Sequence, residues 1–98
     1  MRFCPWYPLS EAASRAPAGE GVLQLRRVNG LVDYPRGKSA MVRYAYAPDL
    51  RDAARALARE LAGQELLCRH LEDGGTVEVY AQLVDQFERR FGARPGGA

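Results

Sequence analysis

Apolar and polar residues alternate through Gly21–Val28 and again through Ala40–Ala47, whereas through residues 50–61 and 77–91 apolar residues return every third or fourth position. The first spacing is that of a half-buried strand and the second that of a helix with one buried stripe. In GVLQLRRV, Leu23 and Leu25 mark the buried side, and Asn29-Gly30 follows with LVDY behind it. Asn-Gly tolerates the positive φ angles of a two-residue turn, so the pattern predicts a hairpin joining Gly21–Val28 to Leu31–Tyr34. Pro35–Ser39 reads as a loop. In AMVRYAYA, Val42, Tyr44 and Tyr46 fall on one face and Met41, Arg43 and Ala45 on the other, which predicts a third strand.

Pro48 and Asp49 suit the first turn of a helix, the proline by its fixed φ and the carboxylate by the positive end of the helix dipole. Leu50, Ala53, Ala54, Leu57 and Leu61 supply its buried stripe, and Gly63 closes it. ELLCRHL lies between Gly63-Gln64 and Asp73-Gly74-Gly75 and reads as a fourth, short strand. Thr76 is placed to cap a second helix whose buried stripe is Val77, Tyr80, Val84, Phe87 and Phe91, ending at Gly92. The order β-β-β-α-β-α predicts an α+β fold: a small antiparallel or mixed sheet with two main helices packed against one face.

Residues 1–20 lack any sustained period and carry Pro5, Pro8 and Pro17, which predicts an extended arm with at most a short helical turn near Ser10–Ser14. Phe3, Trp6, Tyr7 and Leu9 are too dense an apolar cluster for a solvated tail. Either they cover part of the core, or Trp6 and Tyr7 form a docking patch for another protein. Residues 21–92 then make up the domain, and 93–98 read as a disordered tail. Ninety-eight residues suffice for one domain whose sites are surface grooves rather than deep cavities. No run approaches the roughly 18 apolar residues of a membrane span, and no leader pattern opens the chain. The expectation is a cytoplasmic protein that does not engage membranes, with Cys4 and Cys68 as free thiols.

The formal net charge, +2, is too near balance to demand a polyanionic partner, but its distribution is uneven. Residues 20–59 carry a net +4 and residues 60–90 a net −4. A basic half can meet phosphates, and opposed halves can bring two copies together, or one copy and a different protein. Arg51, Arg55 and Arg59 line one helix face, either as a solvated face offset by Asp52 and Glu60 or as a ridge for phosphates.

Three chemical motifs fail on spacing. Cys68-x-His70 lacks the further ligands that a structural zinc site takes, and it lacks the third group that would orient His70 as a base for a nucleophilic Cys68. Arg36-Gly37-Lys38-Ser39 ends like a phosphate-binding loop, yet Asp33 stands where the earlier glycine belongs.

Laid in order, APAGEGVLQLRR and YAYAPDLRDAARAL resemble the GIY-YIG endonuclease domain, and YAQLVDQFERRFGARP is similar to that family's last helix. Gly21-Val22-Leu23 occupies the first motif, Arg43-Tyr44-Ala45 the second, and Asp49-Leu50-Arg51 the helix start; Tyr34-Pro35-Arg36-Gly37 is the alternative second motif. The resemblance implies that the strands carrying the two motifs pair and that the second runs into the helix. In such nucleases the motif tyrosines position water, a helix arginine stabilises the phosphate and a late glutamate holds a divalent cation. Here Leu23, Arg43, Ala53 and Val84 stand in those places, and Ala45 replaces the second glycine. Tyr34, Tyr44, Arg55 and Asp85 are the nearest substitutes. The implied protein is a degenerate binding domain with no catalytic residue, metal or cofactor, associating with nucleic acid through Arg26, Arg27, Arg43, Arg51 and Arg55. A protein-interaction or scaffolding component and a divalent-metal-dependent nuclease are the alternatives.

Overall fold

The structure, a computed structural model, describes residues 1–97. In chain order the elements are β1 (Tyr7–Pro8), a 3-10 turn (Leu9–Glu11), α1 (Ala12–Arg15), β2 (Gly21–Arg27), β3 (Val32–Tyr34), β4 (Gly37–Ser39), β5 (Met41–Ala47), α2 (Leu50–Glu60), β6 (Leu66–His70) and α3 (Val77–Phe91). β2 is the strand around which the rest is arranged, because it is apolar on one face and closed over on the other: Val22, Leu23, Gln24 and Leu25 are all buried. It pairs antiparallel with β5 on one side and β6 on the other, and β1 pairs with β6, giving the sheet order β1-β6-β2-β5. β5 and β6 both run opposite to β2, so α2 carries the chain from one edge of β2 across to the other. The fold is α+β with an antiparallel sheet.

Period-2 alternation sends the two faces of β2 to different partners. Leu23 and Leu25 join Cys68, Tyr7, Leu9, Ala12, Ala16, Leu50, Ala54, Leu57 and Leu66 in one apolar core under α1 and α2. Gly21 lies on this face, where a Cβ would sit 2.6 Å from Leu50 Cδ2, so the helix start packs directly on the strand backbone. Val22, Gln24 and Arg26 face the other way. There α3 covers part of the sheet, Phe87 meeting Tyr44 edge-on at 5.6 Å and Tyr80 lying 6.4 Å from Tyr46. The two main helices therefore occupy opposite faces and not one. Each has the cap its sequence supplies: Asp49 accepts from the Asp52 N–H, Thr76 accepts from the Val79 N–H, and Gly92 ends α3 at φ 83°.

The hairpin is elsewhere than at Asn29-Gly30. Val32–Tyr34 pairs with Gly37–Ser39 as a separate two-stranded ribbon turning at Pro35-Arg36, so part of the expected loop is strand. β5 offers β2 a partner of matching length, seven residues each, whereas LVDY offers three usable positions and an exposed Asp33. Tyr34 then fixes the ribbon onto α3 against Phe87 and Phe91, and Arg36 donates to the carbonyls of Glu88 and Arg89 at the helix end. At the other end of α3, Val77 is 47% exposed instead of buried, as the first residue of the helix.

Residues 1–20 are built into the domain: β1 extends the sheet and the turn and short helix close the core beneath α2. Of residues 93–98, expected to be a disordered tail, 94–97 make a turn in which the Gly97 N–H donates to the Arg94 carbonyl and the Gly96 N–H to the Tyr34 hydroxyl, and residue 98 lies outside the described residues. Among the described residues no helix is long and apolar enough to cross a membrane.

Candidate functional site

Gln24 is the exception in β2, a polar residue inside an apolar strand and only 2% exposed. A buried amide needs partners. The register supplies them by placing Tyr44 of β5 and Arg69 of β6 directly opposite, so one polar row crosses three strands on the face that α3 partly covers. Arg69 Nε donates to Gln24 Oε1 at 2.8 Å. Its guanidinium carbon lies over both Phe3 and Trp6, 4.3 Å from each ring centre, and that of Arg26 lies 5.3 Å over Trp6. The N-terminal arm thus places its aromatics as spacers for two cations.

Burial holds Arg69 below the usual arginine range, with Tyr44 opposing that shift and Arg26 adding to it. The guanidinium stays charged all the same. Burial likewise raises the Tyr44 hydroxyl. Neither Arg26 nor Arg69 makes an ion pair among the described residues, so two like charges share one indole without a carboxylate between them.

On the far side of Tyr44, at the outer edge of β5, lies a groove of about 500 Å³. Its walls are Arg43 and Tyr44 from β5, Tyr80 and Val84 from α3, and Arg94 and Pro95 from the following turn.

The five arginines expected to form one nucleic-acid face do not converge. Arg26 lies on the α3 side of the sheet. Arg43 is on the α2 side, 3.6 Å from Glu60; Arg55 lies 3.9 Å from Asp52; and Arg51 Nε donates to the Ala16 carbonyl. Arg27 donates to the Leu31 carbonyl. Local charge density along the chain had grouped residues that the sheet separates. Tyr7 is 2% exposed and so is closed to a partner, while Trp6 is half-buried with its ring occupied by arginines. Arg69, Gln24 and Arg94 are the additions. The signal for the first two was available as a polar pair in strands otherwise apolar, but only the register shows that they meet.

The positions that the nuclease resemblance singles out are likewise divided by the sheet. Leu23 is buried beneath α2, and Val84 is buried on α3 at the opposite face. Tyr34 and Tyr44 come together around Phe87, but Arg55 is on α2, and Asp85, on α3, is 2.9 Å from Arg89.

A third cluster lies on the core face, where Tyr7 Oη is 2.9 Å and Cys4 Sγ 3.5 Å from His70 Nδ1, and the His70 N–H donates to Cys4 Sγ. Burial pushes the Cys68 thiol up to about 11 and raises the Tyr7 hydroxyl further, so both are protonated at neutral pH. Burial and then Arg15 hold His70 below its usual range. The raised Cys68 thiol is a buried packing group rather than an activated nucleophile. No group of three or more His, Cys, Asp or Glu residues is arranged to hold a metal ion among the described residues. Compared with family models, with curated proteins and with solved structures, the chain matches none.

Proposed function

We propose that the protein is a binding domain without catalytic activity, GIY-YIG-like in layout, that associates with nucleic acid through Arg26, Trp6 and Arg69. The observation that carries this reading is the pair of guanidiniums over one indole, neither of them in an ion pair among the described residues. Such a surface matches a phosphodiester backbone for charge, and aromatic-arginine stacking suits unpaired bases. The layout is supported by the pairing of β2, which begins at Gly21, with β5, and by the passage of β5 into a helix capped by Asp49. Loss of chemistry is supported by the division of Arg55 and Asp85 between two faces and by Leu23 lying buried in the apolar core. Two free thiols fit the reducing cytoplasm.

Fluorescence anisotropy with a labelled single strand and a labelled duplex over a range of salt tests the proposal. Affinity should fall linearly with log salt, by a slope of about −0.7 per phosphate contacted on the single strand. Absence of binding at low salt removes the reading. Retained nicking of supercoiled plasmid with magnesium or manganese, lost on Arg55→Ala or Asp85→Ala, would restore the nuclease alternative.

A protein-interaction role is the second reading, favoured by an apolar groove of about 350 Å³ between α2 and β6, lined by Leu61, Leu66 and the exposed Val28. Light scattering distinguishes self-association through the oppositely charged halves of the chain from a monomer awaiting a different protein.

A further inference from the structure

The two edges of the four-stranded sheet are finished differently. At one, β1 is only two residues long and ends in Pro8, which has no N–H to offer. At the other, β5 runs for seven residues without proline, glycine or lysine and pairs with β2 alone. The register fixes the direction of its backbone groups. The Val22 N–H donates to the Gly74 carbonyl and the Val22 carbonyl accepts from the Leu71 N–H, so both groups of Val22 point away from β5. Tyr46, directly opposite Val22, therefore turns its own N–H and C=O away from β2, and Tyr44, opposite Gln24, does the same. Such an edge is a template for another strand.

The charges beside the edge select that strand. At its Tyr46 end, Glu20 accepts from the Tyr46 hydroxyl; at its Val42 end, Arg94 lines the groove beside Tyr44. Both are exposed, and neither makes an ion pair among the described residues. The complementary partner is an antiparallel strand that brings an acidic end to Arg94 and a basic end to Glu20, and a second copy of β5 does both. We propose that two copies of the chain pair antiparallel through β5 about a two-fold axis at Ala45, joining their sheets into one. The turn at 94–97 sets the register. A Cβ on Gly96 would lie 3.0 Å from the Val42 carbonyl oxygen, so the turn closes the edge there and leaves Tyr44 and Tyr46 to pair. Tyr44 then faces the partner's Tyr46, each such pair exchanging both its backbone bonds and setting aromatic rings side by side. Arg43 faces the partner's Ala47 and not another arginine, so no like charges stand opposite. The interface uses neither Trp6, Arg26 nor Arg69, so it holds or fails independently of nucleic-acid binding.

Sedimentation equilibrium of the full chain measures the association, and amide hydrogen exchange followed by NMR over the same concentrations locates it. A dimer should form in which the Tyr44 and Tyr46 amides are protected and become fast on dilution, while those of Arg43 and Ala45, directed at β2, stay protected throughout. Arg94→Glu and Glu20→Arg, both at exposed positions, should each weaken dimerisation about tenfold, because symmetry places each change in the interface twice. The double variant should restore dimerisation to within about twofold of the unaltered chain. A chain that stays monomeric to millimolar concentration overturns the proposal and leaves the edge to a strand of a different protein. A dimer whose Tyr44 and Tyr46 amides exchange as fast as in the monomer also overturns it, assigning self-association to another surface. So does dimerisation that neither single charge reversal alters.

Discussion

The two faces of the sheet are made from the same strands and differ in almost every other respect. Beneath α1 and α2, Leu23, Leu25 and Cys68 sit in a closed apolar layer, with Tyr7 and Cys4 both in contact with His70 at its margin. Across β2, Gln24 and Arg69 lie in a row with Tyr44, beside stacked cations, partly covered by α3 and partly by the arm. Alternating side chains on β2 thus build the apolar core with Leu23 and Leu25 and a mixed layer on the other side, where Val22 and Gln24 are buried and Arg26 is half-buried. Stability belongs to the first face, and the proposed binding to the second.

Substitutions on the closed face should cost the most stability. Leu25→Ala removes a fully buried side chain from the middle of the core and should lower unfolding free energy by about 2–5 kcal/mol in urea denaturation. Oligonucleotide affinity of the fraction that remains folded should be unaltered; a matching loss of affinity would break the division between the faces. The converse change is smaller. Trp6→Ala should weaken single-strand binding by about 1 kcal/mol, because it removes the ring that holds the Arg26 and Arg69 guanidiniums in place. Quenching of Trp6, the chain's one tryptophan, should track binding in the unaltered protein.

Thr76→Ala should cost about 1 kcal/mol by leaving the Val79 N–H without its cap, with no effect on the core spectra of β2. The smallest effect concerns pH. His70 in the folded protein sits below its ordinary 6.5, chiefly through burial, so the unfolded chain binds more protons between the two values. Stability should therefore fall as pH drops from about 6.5 toward the folded value, and His70→Gln should remove that part of the slope. An unchanged slope in the variant would assign the pH dependence to carboxylates instead.

The elements with long, regular periods were legible from sequence: β2, β5, α2 and α3 follow from Leu23/Leu25, the MVRYAYA alternation and the two helical stripes. Partner choice was not. Asn29-Gly30 has the chemistry of a hairpin turn, yet β2 gains more by pairing with seven-residue β5 than with Val32–Tyr34, a non-local preference that no local window contains. The arm was recognised as too apolar to be free, but its contribution of β1 depends on matching Tyr7 with Cys68. The site was legible in part. Arg26 and Trp6 were singled out, whereas Arg69 escaped because it lies in the acidic half of the chain and acquires its neighbours only through the β2–β6 register. Charge summed along the sequence is a poor guide when adjacent residues on a strand face opposite ways.

The most direct test is the salt dependence of single-strand binding by the unaltered protein and by Arg26→Ala/Arg69→Ala. If the stacked cations meet phosphates, the double variant should bind more weakly and its log–log salt slope should be shallower by about 1.4, the equivalent of two contacts. Equal affinity and an equal slope in both proteins would contradict the assignment of binding to this face.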